Sequence, residues 1–344
     1  MKKRIFLVVL FSLMLFFITG CGVNSTKDKV TGDNNSSKVS PKDFVDVSFS
    51  LSKTLLNGKY IIALMGNGDL YANGNFSNCK FEKYDVIEKN VKKFEHNNYL
   101  LVLKNNGELE YRGLGLSGGV TSDFEKIFDN AIDMSTNGFT IFVIDKNNNL
   151  HARFNSYTYK TSNYYRAGIS EDCSSDFVKI RENVTKAIPL AHVEGYYLID
   201  KNENFYLNIK GEDKLIGKNI VDFFVIDYSN AVVLDKNGSV YFYKNSDGTY
   251  EKIADNAKKL SNLSFIDNDN YAYNIEDGKA FKIEGIKNVK ILDEYSKNVY
   301  NFSTHDYETR IQYLSTDGKL HSSVNGTDKI LSENDYKNIN NDKK

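Results

Sequence analysis

The chain has 344 residues, with 44 basic and 45 acidic side chains and a net charge of −1. This balance provides no electrostatic footprint for nucleic acid, and most lysines stand singly or in pairs, as on solvated strand edges. Three cysteines are too few for a disulfide framework. Composition therefore excludes a nucleic-acid binder and a disulfide-rich miniprotein.

Residues 1–20 have the pattern of a secretory signal. Lys2, Lys3 and Arg4 precede an apolar run at 5–18, which is too short for a comfortable membrane span. The stretch 18–21, Ile-Thr-Gly-Cys, resembles the lipobox of bacterial lipoproteins. The resemblance implies cleavage before Cys21 and acylation of its thiol, with diacylglycerol and palmitate as the anchor. An ordinary signal peptide with a chance cysteine is the alternative.

Residues 21–43 are rich in Asn, Ser, Lys, Asp and Thr and nearly free of large apolar groups. Such a segment cannot bury a core, so we expect a disordered tether. The predicted location is the extracytoplasmic face of the cell membrane. Abundant Asn and Lys indicate an AT-rich genome and, together with the lipobox, a Gram-positive bacterium. Residues 333–344 are predicted to be a polar tail.

Between residues 44 and 332 one pattern recurs seven times: an apolar run, a tight polar turn, and a second short apolar or aromatic run. The period is two, and Asn-Gly, Asp-Gly or Asn-Asn turns accept positive φ, so each copy predicts a β-hairpin. The copies lie at 63–71, 102–111, 143–150, 198–206, 233–241, 265–271 and 313–320.

A linking element precedes every hairpin, often with an Asn before a small or apolar residue, as at Asn90-Val91 and Asn256-Ala257. Seven repeats of roughly forty residues with several strands each are typical of a β-propeller. We predict an all-β, seven-bladed propeller over 44–332; a solenoid is the alternative. Ring closure is expected from a mixed blade in which Phe44–Phe49 pairs beside Lys329–Leu331.

The repeats resemble the regulator-of-chromosome-condensation family. Leu70-Tyr71-Ala72-Asn73-Gly74 and 109–115 are similar to the family phrase Val/Leu-Tyr-x-Trp-Gly, with Asn or Arg in place of Trp. The resemblance implies a propeller. It also implies a binding role, since family members act in chromatin-linked nucleotide exchange, in scaffolding and in a secreted inhibitor of β-lactamase. Export of this chain excludes the nuclear role.

No arrangement typical of catalysis or metal binding is present in the sequence. The five histidines lie singly, without the spacing that brings two metal ligands together. The oxygen-rich segments 145–149 and 267–270 fit hairpin turns better than calcium loops. We expect no catalytic residue, no metal and no cofactor. Cys79 and Cys173 pair only if the loops after blades 1 and 3 meet, so whether they are free stays open.

Two enlarged loops remain as candidate partner-binding segments, because Tyr and Arg supply large contact area with polar tips. The first is 154–175, and the second is Asp293–Arg310. The alternative is that these loops merely pack on the ring. The candidate residues are Tyr157, Tyr159, Tyr164, Tyr165, Arg166, Tyr300 and Tyr307.

The sequence thus predicts a lipid-anchored surface lipoprotein whose monomeric propeller is a non-catalytic binding scaffold for a protein or a cell-envelope polymer. One alternative is a polysaccharide hydrolase or lyase, which needs two carboxyl groups about 5 to 10 Å apart in the propeller funnel. Another is an envelope assembly factor. Fold by itself does not choose among these.

Overall fold

The structure, a computed structural model, places its strands in seven four-stranded antiparallel sheets. It describes residues 43–50, 59–76, 79–97, 99–114, 120–155, 166–191, 193–226, 229–261, 264–301 and 306–339. Each sheet is built from four strands that follow one another along the chain. Seven such sheets in a ring form a seven-bladed β-propeller, and the predicted fold is confirmed.

Each blade is numbered in chain order, and within a blade the strands run from the inner edge to the outer edge. Blade 1 contains β1 (Phe44–Ser50), β2 (Tyr60–Met65), β3 (Leu70–Phe76) and β4 (Cys79–Glu88); blade 2 contains β5 (Val91–His96), β6 (Tyr99–Lys104), β7 (Leu109–Leu114) and β8 (Val120–Phe128). Blade 3 contains β9 (Ala131–Thr136), β10 (Thr140–Asp145), β11 (Leu150–Phe154) and β12 (Val178–Arg181); blade 4 contains β13 (Val184–Pro189), β14 (Gly195–Asp200), β15 (Phe205–Ile209) and β16 (Glu212–Gly217). Blade 5 contains β17 (Ile220–Ile226), β18 (Asn230–Asp235), β19 (Val240–Lys244) and β20 (Thr249–Ala254); blade 6 contains β21 (Ala257–Ser261), β22 (Ser264–Asp267), β23 (Ala272–Glu276) and β24 (Lys279–Lys282). Blade 7 contains β25 (Val289–Asn301), β26 (Asp306–Ser315), β27 (Leu320–Val324) and β28 (Thr327–Ile330), and it is followed by α1 (Glu333–Lys337).

Each link between blades contains an asparagine in a left-handed conformation. In all six the residue before the inner strand is an Asn with φ between 56° and 66°, a left-handed conformation that Asn tolerates better than most side chains. The N–H of Val91 then donates to the carbonyl of Gly68 in the preceding blade at 2.8 Å, and Ala131 repeats this bond to Gly107. The link asparagines are Asn90, Asn130, Asn183, Asn219, Asn256 and Asn288.

Burial decreases from the inner strands to the outer ones. The second strands are almost wholly buried, as in Tyr99–Lys104, whereas the outermost Thr327–Ile330 is exposed at every residue. The outer strands therefore lack the alternation of apolar and polar residues by which the hairpins are recognised. The core lies between blades, where apolar faces of neighbouring sheets meet.

The ring closes by packing rather than by the expected mixed blade, and that prediction is wrong. Phe44–Ser50 is the inner strand of blade 1, while Thr327–Ile330 is the outer strand of blade 7. Closure brings β1 beside β25, with Phe49 and Ile291 in one apolar cluster. The N–H of Phe49 also donates to Asp293 Oδ2 at 2.8 Å.

The C-terminal residues reinforce this closure. Ser332 caps α1, and the Asn73 side-chain amide of blade 1 donates to the carbonyls of Tyr336 and Lys337, both at 2.9 Å. Ile339 is buried in the cluster between blades 7 and 1. The segment that composition marks as a polar tail thus contributes apolar contacts to the ring.

Candidate binding faces and the axial charge ring

The two faces of the propeller differ in the length of their connections. Because the strands of each blade alternate in direction, the connections between first and second strands and between third and fourth strands open on one face. We call this the long-loop face. The connections between second and third strands, and the links between blades, open on the opposite face, which we call the tight-turn face.

The tight-turn face is regular. Asp145 ends the second strand of blade 3, and its Oδ1 accepts the backbone N–H groups of Asn147 and Asn149 at 2.8 and 2.9 Å. Burial works to raise the pKa of Asp145, but hydrogen bonds from Asn149 and His151 prevail and hold it at about 2. Asp267 binds two turn amides in the same way. Both oxygen-rich segments noted in the sequence are therefore hairpin turns.

The long-loop face contains the enlarged segments. The connection from Phe154 to Val178 in blade 3 lies there, and so does the one from Asn301 to Asp306 in blade 7. Of the candidates in the first segment, four lie outside the described residues. They are Tyr157, Tyr159, Tyr164 and Tyr165.

The described end of the blade 3 segment is anchored to the ring. The guanidinium of Arg166 lies 5.6 Å from the centre of the Phe154 ring, a cation–π contact. Ala167 and Cys173 are fully buried, and the Cys173 carbonyl accepts the N–H of Phe154 at 2.8 Å. Arg166 therefore packs the segment onto the ring, which is the role that the packing alternative assigns to it.

The second candidate segment is a β-ribbon and not the expected loop. Its described residues, 293–301 and 306–310, lie in the long strands β25 and β26, and Tyr300 is paired through its backbone with Tyr307. The Tyr307 side chain is 63% exposed, whereas the side chain of Tyr300 lies outside the described set. Within the ribbon, the buried guanidinium of Arg310 pairs with Glu308 at 2.9 Å. The ribbon thus presents Tyr307 at the end of a rigid support.

The two candidates whose side chains the structure describes share a face without forming one cluster. Arg166 belongs to blade 3 and Tyr307 to blade 7, so the two described candidates lie on separate blades. Cys21 lies outside the described residues. Cys79 and Cys173 are both free and buried, and burial raises the pKa of the Cys173 thiol to about 12. The two loops do not bring these thiols together.

A ring of charged residues surrounds the axis, and it was missed in the sequence. Each inner strand has a register shift after its first residues, typical of a β-bulge. The residue after this shift alternates in charge from blade to blade until blade 7. We call these residues the axial charge ring; in blade order they are Asp46, Lys93, Asp133, Lys186, Asp222, Lys259 and Ile291.

The ring joins neighbouring blades. Lys93 Nζ lies 2.7 Å from Asp133 Oδ1 and donates to the carbonyl of Met134 at 2.8 Å. Lys186 makes the same pair of contacts one blade later, with Asp222 and the carbonyl of Phe223. Seven positions cannot alternate in charge all the way round. An apolar Ile291 at the seventh avoids two like charges side by side.

The inner-strand carboxylates bear on the enzyme alternative. Asp222 is almost fully buried between blades, and Asp133, the more exposed of the paired acids, is bound by Lys93. Asp46 is also buried. Asp133 and Asp222 therefore neutralise lysines of the neighbouring blades, and Asp46 accepts the backbone N–H of Val47. Within the described ranges no group of three or more His, Cys, Asp or Glu could hold a metal ion. No helix of that part of the chain is long and apolar enough to cross a membrane.

No family model matches the sequence, and no curated protein matches it. The chain is similar to solved structures in fold. PorZ of Porphyromonas gingivalis has a TM-score of 0.52 at 11% identity, covering 85% of this chain and 39% of PorZ. Human WBSCR16 has a TM-score of 0.47 at 11% identity, covering 59% of this chain and 67% of that one.

Prp20p of Saccharomyces cerevisiae has a TM-score of 0.45 at 11% identity, covering 82% of this chain and 72% of that one. It is the yeast RCC1 protein, a member of the family that the repeats resemble. At sequence identities this low, the similarity to these structures is a similarity of fold alone.

Proposed function

We propose that this chain is a membrane-anchored surface lipoprotein whose propeller captures a protein or a cell-envelope polymer through its long-loop face. The observation that supports the proposal is that the strands joined by the two enlarged segments end on that one face, opposite a face of tight turns. Loops that extend from a rigid scaffold are the usual place for binding residues. A propeller is also found in PorZ, described as an essential bacterial surface component of the type-IX secretion system.

The anchor is a separate part of the proposal. Acylation at Cys21 would hold the chain at the membrane, because each buried acyl methylene contributes about 0.8 kcal/mol and two chains suffice for stable attachment. Residues 22–43 would then separate the propeller from the bilayer. The regulator-of-chromosome-condensation resemblance is consistent with this scaffold role.

The anchor is tested by metabolic labelling with palmitate, followed by membrane fractionation. Cys21→Ser is expected to lose the label and leave an unprocessed or released protein. Cys79→Ala is the control, because it removes a buried thiol and leaves the lipobox intact. Membrane retention of a cleaved Cys21→Ser chain would contradict the lipoprotein assignment.

The binding face is tested by alanine at Tyr157, Tyr159, Tyr164 and Tyr165 together. We expect loss of partner capture from membranes with an unchanged melting temperature. Alanine at Asn106 and Asn237, in tight turns of blades 2 and 5, is the matched control on the opposite face. Unchanged capture by the tyrosine variant would reject this loop as the site. Capture of envelope assembly proteins alone would favour the assembly alternative.

A further inference from the structure

The axial charge ring is interrupted between blades 6 and 7. Lys93 and Lys186 each reach an acid in the next blade, but the position that would serve Lys259 in that way is Ile291. Within the described part of the chain, the Lys259 ammonium has no ion pair and no hydrogen bond. The carbonyl of Leu292, the counterpart of the carbonyls that Lys93 and Lys186 bind, accepts Ser261 Oγ at 2.7 Å instead.

Two further lysines flank Lys259. Lys258 and Lys290 occupy the bulges next to the ring positions of blades 6 and 7. Burial lowers the pKa of Lys259 to about 8; repulsion from Lys258 and Lys290 adds to this shift, and attraction by Asp46 opposes it. The pKa of Lys290 is also lowered by burial, against the attraction of Asp43. Lys290 Nζ donates to the carbonyl of Phe44 at 2.7 Å. Lys259 thus has no partner among the described residues, and it lies next to two further positive charges on the inner strands of blades 6 and 7.

Asp46, the acid that attracts Lys259, has a raised pKa. Burial raises the pKa of Asp46 to about 8, and repulsion from Asp293 contributes, while the Val47 N–H, Lys259 and Lys93 act in the opposite direction. Asp46 Oδ1 accepts the N–H of Val47 at 2.7 Å. A protonated carboxyl group can donate a hydrogen bond to an anion, whereas a carboxylate only repels it.

We propose that a doubly charged tetrahedral oxyanion, a phosphoryl or sulfate group, binds beside the axis at Lys259, Lys258 and Lys290. Several ammonium groups on adjacent inner strands attract a doubly charged anion more strongly than they attract a single carboxylate. The bulges follow the first residues of the inner strands, and these strands begin at the tight-turn face. The ligand therefore enters from the face opposite the long loops, so the site is independent of the proposed partner-binding face.

Affinity at this site falls as pH rises through about 8. Lys259 loses its positive charge and Asp46 gains a negative charge over the same range, so both changes weaken anion binding. Lysines with an ordinary pKa near 10.4 would leave affinity almost constant there. Sulfate is the appropriate probe, because its own charge does not change between pH 6 and pH 10.

The test is a calorimetric titration of the full-length chain with sulfate at constant ionic strength. One saturable site is expected, with affinity falling more than tenfold from pH 7 to pH 9. Lys259→Met should weaken binding at pH 7 at least tenfold, whereas Lys279→Met, an exposed change on the outer strand of blade 6, should not. Inorganic phosphate and glycerol 3-phosphate, compared at pH 7, then distinguish a free anion from the phosphoryl end of a larger ligand.

A second pair of variants separates charge from packing. Ile291→Asp supplies the missing acid and should abolish sulfate binding, while Ile291→Asn removes the same apolar contacts and should retain it. If both variants fail to fold, the comparison of Lys259→Met with Lys279→Met still decides. Equal affinity in those two proteins, absence of saturable binding at pH 7, or affinity that does not change up to pH 9 would overturn the proposal.

Discussion

Lys93 Nζ lies 2.7 Å from Asp133 Oδ1 and 3.0 Å from Glu95 Oε1, and so ties the inner strand of blade 2 to that of blade 3. Burial by itself lowers the pKa of Lys93, but Asp133 and Glu95 together raise it above its ordinary value. The ammonium is therefore charged at neutral pH. The carboxyl groups of Asp133 and Glu95 both pair with this one cation.

Removal of this cation should destabilise the propeller strongly. Lys93→Met leaves the carboxylates of Asp133 and Glu95 without their partner, so we expect a loss of about 3 kcal/mol or more in the free energy of unfolding. Asp133→Asn should cost less, because Glu95 still compensates Lys93. Lys92→Met is the control, since this neighbour donates to a carbonyl of Ile132 and compensates no carboxylate in that contact. Urea denaturation measures all three; equal losses would refute the account of the pair.

A single turn residue offers a stabilising change. Glu203 has φ 61° at a position where blades 1, 2, 5 and 7 have glycine and blades 3 and 6 have asparagine. A left-handed conformation costs an ordinary side chain about 1 kcal/mol. Glu203→Gly should raise the free energy of unfolding by about that amount.

The reverse change provides the control for the turn position. Gly107 has φ 87°, and an added Cβ would meet the Ala131 carbonyl at 3.2 Å. Gly107→Ala should therefore lower the melting temperature, while Glu203→Gly raises it. No stabilisation by Glu203→Gly would mean that its weak ion pair with Lys236 outweighs the backbone strain.

His96 should make the protein sensitive to acid. Burial lowers its pKa from 6.5 to about 4, and its Nε2 lies 2.9 Å from Ser48 Oγ. The unfolded chain therefore binds a proton that the folded one does not, and stability is lost as pH falls from about 6.5 to about 4. The expected slope is about 1.4 kcal/mol per pH unit for one proton.

The contribution of His96 is isolated by His96→Gln, which has no titrating group in this range. Its unfolding free energy should vary less between pH 6.5 and pH 4 than that of the native chain. Identical slopes in the two proteins would assign the acid sensitivity to the carboxyl groups instead.

Asn73 links blade 1 to the C-terminal helix. Its amide donates to two carbonyls of the C-terminal helix region, so Asn73→Asp replaces a double donor with an acceptor facing acceptors. We expect a loss of about 2 to 4 kcal/mol and faster proteolysis of the C-terminus. Asn75→Asp, on the same strand but exposed, should change neither. Equal protease resistance of the two variants would show that the helix contact does not contribute to closure.

The seven blades could be predicted from the sequence, but the way in which the ring closes could not. Hairpin turns such as 66–69 and the left-handed link asparagines carry local signals, because their conformations restrict which residues fit. The outer strands and the contact of β1 with β25 depend on packing between segments far apart in the chain. Nothing in the composition of Phe44–Ser50 distinguishes pairing with blade 7 from packing against it.

The candidate sites divide in the same way. The enlarged segments were visible as long spacings between repeats, but the support of Arg166 by Phe154 is a tertiary contact. The axial charge ring left a signal that alignment of the seven inner strands would have found: the third residue of each strand reads, in blade order, Asp, Lys, Asp, Lys, Asp, Lys, Ile. Its meaning required the register shifts, because a one-residue offset turns a side chain to the other face of the sheet.

The most direct test of the proposed function is photo-crosslinking on living cells, followed by mass spectrometry of the captured molecules. A photoreactive residue is placed at position 307, on the exposed ribbon of blade 7, or at 237, in a tight turn of blade 5. Capture of one dominant partner from position 307 and none from 237 is the predicted result. Diffuse capture from both positions, or a dominant partner from position 237 alone, would contradict binding through the long-loop face.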